Sequence, residues 1–203
     1  MKQLLFLLPL LAIISCSDPD NPYDAQFNSR GCLECDNYTA GETFMIDGVR
    51  YEVADRAILE TAIDDGDDLT RYCTSRIGGM EGLFYSKTDF NNDIGNWDVS
   101  NVTDMSLMFY QNYVFNQDIG HWDVSNVTDM SRMFQNANTF DQDIGNWDVS
   151  NVTDMTQMFD RAASFNQDLT QWCVSNFSNI PSGFVGWPCP LQSSNFPVWG
   201  TCP

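Results

Sequence analysis

Basic residues and histidine are scarce in this sequence of 203 residues. It has one histidine, and 9 lysines and arginines against 28 aspartates and glutamates, so the formal net charge is −19 at pH 7. A surface with that charge repels nucleic acids and anionic membranes. The single histidine, His121, has no partner set for a histidine-dependent catalytic triad or a zinc centre. We therefore expect neither a nucleic-acid-binding protein nor an enzyme.

Long apolar runs are also missing. The run Leu4 to Ile14 is too short to span a bilayer and is typical of a signal peptide, which we assign to residues 1–15. The sequence Ile-Ile-Ser-Cys at 13–16 resembles a bacterial lipobox, which implies cleavage before Cys16 and lipidation of that cysteine. A plain signal peptide followed by an incidental cysteine is the alternative. The lipobox predicts a protein anchored by lipid in the bacterial cell envelope and exposed on the outer membrane.

Six further cysteines follow Cys16. In an exported chain, cysteines form disulfides more often than metal sites. The pair Cys32-x-x-Cys35 has no second Cys-x-x-Cys with which to complete a zinc site. We therefore predict disulfides. The candidates are Cys32, Cys35, Cys73, Cys173, Cys189 and Cys202.

One pattern of about 25 residues repeats from Phe90 to Phe184. The sequence of residues 93–105 returns at 118–130 with one change, His121 in place of Asn96, and returns unchanged at 143–155. Such regularity predicts a solenoid, in which each unit buries its apolar residues against its neighbours.

Within one repeat, the pattern Ile-x-x-Trp-x-Val at 94–99 resembles the strand of a leucine-rich repeat, and the apolar residues of 102–109 keep helical spacing. The predicted fold class is therefore α/β, a short leucine-rich-repeat-like solenoid with caps joined by disulfides. The solenoid is assigned to residues 67–186, with three full repeats between degenerate ends.

Both ends of the array have predicted caps. After an acidic tether and cysteine-containing lead-in at 16–40, residues 41–66 predict an N-terminal cap, in which a hairpin turns at Asp47-Gly48 and a helix follows Asp55. Residues 187–203 are the predicted C-terminal cap. The degenerate end repeats carry Cys73 and Cys173 where inner repeats carry aspartate. We expect Cys73 to bond Cys32 or Cys35, and Cys173 to bond Cys189 or Cys202.

The sequence from Trp97 to Ser106, with Met108-Phe109 and Phe115 to Asp118, resembles the BspA-like surface-protein repeat family. The motif and its copies cover about half of the chain. The resemblance implies a bacterial surface lipoprotein with a leucine-rich-repeat-like solenoid that binds host or matrix proteins and other cells. It assigns no catalytic residue.

Recurring aspartates and tryptophans raise the question of ligands. One interpretation of Asp98, Asp123 and Asp148 is calcium held between neighbouring repeats. The alternative, which we favour, is hydrogen bonding to turn and helix N-terminal amides, since the repeat lacks the glycine-rich loops of a dedicated calcium repeat. The four repeat tryptophans at 97, 122, 147 and 172 could stack on sugars, but their apolar spacing favours core packing. Calcium aside, we predict no cofactor.

The inner repeats differ mainly in five-residue loops and at positions 107, 132 and 157. If a partner is recognised, specificity resides there, and Tyr110, Tyr113, Arg132 and Arg161 are the best candidates. Ordinary loop drift is the alternative. We expect a non-enzymatic module that binds protein or cell-surface partners. A structural envelope spacer without a specific ligand and a calcium-dependent carbohydrate-binding module are the competing hypotheses.

Overall fold

The computed structural model describes residues 25–203. The predicted signal peptide, Cys16 and the first part of the tether lie outside these residues. Strands β1 (Gln26–Phe27) and β2 (Leu33–Glu34) pair antiparallel. Within the described range, no helix is long and apolar enough to cross a bilayer.

The hairpin and the helix predicted within residues 41–66 are confirmed. Strands β3 (Thr43–Ile46) and β4 (Val49–Val53) pair antiparallel. Asp47 and Gly48 join them with φ angles of 50° and 79°, the left-handed pair that a tight hairpin turn requires. Helix α1 (Arg56–Asp65) follows, and the Asp55 carboxylate accepts the backbone N–H of Ile58 at 2.9 Å.

The remaining elements are short. A 3-10 helix (Leu69–Arg71) leads into β5 (Tyr72–Cys73), which pairs parallel with β4. Near the C-terminus, β6 (Phe159–Asp160) pairs parallel with β7 (Val185–Gly186), and a second 3-10 helix covers Ser193–Asn195.

The α/β leucine-rich-repeat-like solenoid predicted from the sequence is wrong. The described chain consists of small β-sheets of two or three strands and a single α-helix, which precedes the repeats. No sheet runs through the repeats. Neighbouring repeats are joined by isolated parallel bridges, as between Asp104 and Asp129, and near the C-terminus by the two-residue pairing of β6 with β7.

The predicted repeat helix is replaced by consecutive tight turns. Leu107 and Gln111 have φ angles of 59° and 56°, in the left-handed region that interrupts a right-handed helix. Local hydrogen bonds span three residues, as from Tyr110 N–H to Leu107 O at 3.0 Å. Alternate N–H groups instead donate to the next repeat, as from Leu107 to Ser131 O at 2.9 Å. Because alternate donors leave the repeat, an α-helical ladder cannot form.

Aromatic side chains form the centre of the core. Equivalent phenylalanines of successive repeats stack, with ring centroids 5.3 Å apart for Phe84 and Phe109 and 5.5 Å apart for Phe109 and Phe134. The predicted burial of the repeat tryptophans is confirmed, since all four are at most 3% exposed. They are Trp97, Trp122, Trp147 and Trp172.

Two disulfides are present, one at each end of the described chain. Cys35 is bonded to Cys73, and Cys173 is bonded to Cys202. Cys32 and Cys189 are free thiols. Each bond is one of the two alternatives predicted for that end.

Candidate functional site

The recurring aspartates make hydrogen bonds within their own turns. Asp98 accepts the Ser100 N–H at 2.9 Å, and Asp148 accepts the Ser150 N–H at 3.1 Å. The equivalents of Asp93 and Asp104 in each inner repeat likewise accept the N–H two residues later. These contacts are the hydrogen bonds to turn amides that we favoured, from the sequence, over calcium binding. Within residues 25–203, no group of three histidine, cysteine or acidic side chains is arranged to hold a metal ion.

Other invariant polar side chains connect one repeat to the next. Asn126 donates its side-chain amide to Ser100 O at 2.7 Å, and the Thr128 hydroxyl donates to Thr103 O at 3.1 Å. The Trp147 indole donates to Ile119 O at 3.1 Å. Asn126, Thr128 and Trp147 therefore help to hold neighbouring repeats together.

An acidic groove of about 530 Å³ lies beside the middle repeats. We call the segments 116–129 and 141–154 the aspartate segments, because they contain seven aspartates and no lysine, arginine or glutamate. Asp118, Asp123, Asp143 and Asp148 line the groove together with His121. Two of the three predicted calcium candidates, Asp123 and Asp148, thus share it. Asp98 does not line it and is 5% exposed.

Arg30 enters this groove from the N-terminal lead-in and forms an ion pair with Asp123. Partial burial raises the pKa of the Asp123 carboxyl, but hydrogen bonds from Ser125 and the contact with Arg30 outweigh it, so the pKa is lowered. The lead-in is also fixed by a hydrogen bond from Leu33 N–H to Asn96 O at 2.9 Å. Sequence reasoning missed Arg30, since no local pattern links it to a residue 93 positions away.

His121 lies at the edge of the same groove. Its Nε2 lies 2.7 Å from Gly95 O, and its Nδ1 lies 4.0 Å from Asp118 Oδ1. Asn96, the equivalent residue one repeat earlier, also contacts a backbone oxygen of the preceding repeat, Thr70 O at 2.8 Å. The histidine therefore makes the same kind of link as the asparagine that it replaces.

The variable positions lie on a different part of each repeat. We call the exposed and half-buried residues of segments 106–114, 131–139 and 156–164 the turn surface. Positions 107, 132 and 157 have φ angles of 59°, 57° and 58°, and positions 111, 136 and 161 have φ angles of 56°, 61° and 61°. Two predicted partner-binding candidates, Arg132 and Arg161, thus occupy left-handed corners, and both are exposed.

Tyr110 and Tyr113 lie in the first segment of the turn surface, and Tyr85 lies one repeat before it. The rings of Tyr85 and Tyr110 stack with centroids 4.9 Å apart and an interplanar angle of 11°. Tyr85 is 50% exposed, Tyr113 is 40% exposed and Val114 is 39% exposed. Tyr85 was not among the predicted candidates, although the 25-residue spacing aligns it with Tyr110.

The two arginines lie at the C-terminal end of this surface. Arg132 donates Nε–H to Gln157 Oε1 at 3.0 Å. Among the described residues, neither Arg132 nor Arg161 has a carboxylate oxygen within 4 Å, whereas Lys87 forms an ion pair with Asp64. Asp160 directs its carboxylate to Gln135 Nε2 at 2.7 Å instead of to Arg161.

The free thiols are poor nucleophiles. Burial, followed by the nearby Asp98 charge, raises the pKa of Cys32 to about 11. Burial also raises the pKa of Cys189. Since the thiolate is the reactive form, neither cysteine is suited to nucleophilic catalysis at neutral pH.

One family model matches this chain. The family is described as "Mycoplasma protein of unknown function, DUF285", and the matches cover residues 56–172 and 120–187, which include α1 and the repeats. No curated protein and no solved structure matches the chain significantly.

Proposed function

We propose that the chain, which belongs to the DUF285 family, is a non-enzymatic surface lipoprotein whose turn surface binds protein or cell-surface partners. The proposal also includes two expectations from the sequence. The chain is a BspA-like repeat protein, and it is anchored by lipid at Cys16. The lipobox-like sequence at 13–16 supports the anchor.

The proposal rests on a difference between the invariant and the variable residues of each repeat. Invariant polar residues such as Asn126 and Thr128 form hydrogen bonds with the preceding repeat. Two of the variable residues, Arg132 and Arg161, occupy exposed left-handed corners. Within the described residues, the one side-chain hydrogen bond of either to a neighbouring repeat is that from Arg132 to Gln157. A scaffold that presents variable side chains at fixed positions is typical of binding proteins.

The residue types on the turn surface support a protein partner. Tyrosine and arginine are enriched at protein interfaces and among the residues that dominate binding energy. Tyr110 and Tyr113 have two rotatable side-chain torsions each, so fixing them in a complex costs little conformational entropy. The buried repeat tryptophans, by contrast, offer no exposed ring on which a sugar could stack.

Binding to immobilised fibronectin, laminin and collagen and to cultured epithelial cells tests the proposal. The full chain is compared with the double variant Tyr110→Ala/Tyr113→Ala and with the control His121→Asn, which restores the repeat sequence away from the turn surface. We expect the tyrosine variant to bind at least about tenfold more weakly, and the control to bind as the unchanged chain does.

Three outcomes contradict the proposal. A chain that binds none of these targets supports the structural spacer. Binding that survives in the tyrosine variant places the contact elsewhere. Binding to a glycan array that chelator abolishes supports the calcium-dependent carbohydrate-binding module.

A further inference from the structure

Charge is divided between the two parts of the inner repeats. The turn segments carry only two arginines and one aspartate, namely Arg132, Arg161 and Asp160. The aspartate segments carry no lysine or arginine and seven aspartates. These are Asp118, Asp123, Asp129, Asp141, Asp143, Asp148 and Asp154. A chain with a net charge of −19 thus has a locally cationic turn surface.

The two arginines of that surface form no ion pair within the described residues. Arg30, Arg56 and Arg71 each pair with a carboxylate within the described chain. Arg132 has one bond, to a neutral glutamine, and Arg161 is exposed beside a carboxylate that faces Gln135. A guanidinium without a carboxylate partner offers a planar set of donors that fits a carboxylate with two parallel hydrogen bonds.

We infer that the partner of the turn surface is an acidic polypeptide segment, whose carboxylates pair with Arg132 and Arg161. The inference rests on the proposed binding function. We choose a polypeptide over a glycan because Tyr85 and Tyr110 stack on each other, which leaves at most one face of each ring for a sugar. Sugar stacking needs free ring faces, whereas ring edges and hydroxyl groups suit a peptide.

The net charge sets the conditions of the test. At low ionic strength the aspartate segments repel any polyanion. At physiological salt the Debye length is about 8 Å, so these charges are screened while direct contacts at the turn surface remain. Fluorescently labelled poly-L-glutamate is therefore titrated with the full chain at physiological salt, with polygalacturonate as the carbohydrate polyanion.

The variants are matched in charge. Arg132→Gln/Arg161→Gln removes two positive charges from the turn surface, and Arg50→Gln/Arg71→Gln removes two from elsewhere. We expect poly-L-glutamate to bind the unchanged chain and the control, and to bind the turn-surface variant about tenfold more weakly.

Each contrary outcome has a definite meaning. If both variants lose affinity for poly-L-glutamate equally, the inference is overturned. It is also overturned if poly-L-glutamate does not bind the unchanged chain. Binding of polygalacturonate alone makes the partner an acidic glycan and also overturns it. If matrix or cell binding still depends on Tyr110 and Tyr113 in these cases, the proposed function stands and only the acidic-polypeptide partner is rejected. If that binding is absent as well, both fail.

Discussion

Asn126 donates its side-chain amide to the backbone oxygen of Ser100 at 2.7 Å, and so joins its repeat to the preceding one. Asn151 makes the same bond to Ser125 at 2.7 Å. These asparagines do not cap a helix, because the one α-helix of the described chain, Arg56–Asp65, precedes the repeats. Their identity from repeat to repeat reflects a structural link.

The Asn126 bond contributes to stability. We expect Asn126→Ala to lower the free energy of unfolding by about 0.5–1.5 kcal/mol, the net value of one hydrogen bond. Asn138→Ala, at an exposed position on the turn surface, should change it by less than about 0.5 kcal/mol. Urea unfolding measures both, and equal effects would refute the structural assignment.

Gly120 is required because neighbouring repeats approach closely. A Cβ atom at this position would lie 2.3 Å from Asp143 O, whereas a Cβ at Gly78 would lie 3.9 Å from its nearest neighbour, Asn101 O. We expect Gly120→Ala to destabilise the chain by about 1–3 kcal/mol, the usual effect of overpacking. Gly78→Ala serves as the control in the same thermal-unfolding experiment and should be nearly neutral. A neutral Gly120→Ala would mean that the repeats are less tightly joined than described.

The ion pair between Arg30 and Asp123 makes stability depend on pH. The folded state lowers the pKa of Asp123, so its contribution is present above the unfolded-state value of about 3.9 and is lost as the pH falls through the folded-state pKa. At pH 7 we expect Asp123→Asn to cost about 0.2–1 kcal/mol more than Asp148→Asn. Within the described chain, Asp148 accepts the equivalent turn amide but has neither an arginine partner nor the serine hydroxyl bond that Asp123 accepts. The difference should shrink at pH 3 and in high salt. A difference that persists under both conditions would exclude the ion pair as its cause.

Calcium should not stabilise the chain. The carboxylates of Asp98, Asp123 and Asp148 already accept hydrogen bonds from their own turns. We expect the thermal midpoint to be the same with calcium and with chelator. A rise with calcium would assign these aspartates as ion sites, because a ligand that binds only the folded state raises the midpoint.

The parts of the fold that could be predicted depend on local chemistry. Asp47-Gly48 supplies the left-handed residues of a hairpin, and Asp55 supplies an N-cap, so both elements could be located from a few neighbouring residues. The prediction of a helix in each repeat was wrong because apolar residues at 102, 105, 108 and 109 fit consecutive turns as well as they fit a helix. The deciding feature is the donation of alternate N–H groups, as from Leu107 to Ser131, to the next repeat. Apolar periodicity does not encode that feature.

The residues of the candidate site could likewise be predicted from the sequence only in part. Repeat comparison identified Arg132 and Arg161, because variable positions stand out against an invariant frame. It could not show that they occupy left-handed corners or lack a carboxylate partner. The contact of Arg30 with Asp123 depends on where the N-terminal lead-in lies against the repeats. The lead-in is not part of the repeat pattern, so that position could not be predicted from the periodicity.

Hydrogen exchange tests the central claim, that partners bind the turn surface, most directly. Exchange is measured on the full chain alone and when saturated with whichever immobilised target it binds. We predict slower exchange within 106–114, 131–139 and 156–164, and unchanged exchange within 116–129 and 141–154. Protection confined to the aspartate segments would contradict the account and make the acidic groove the binding site.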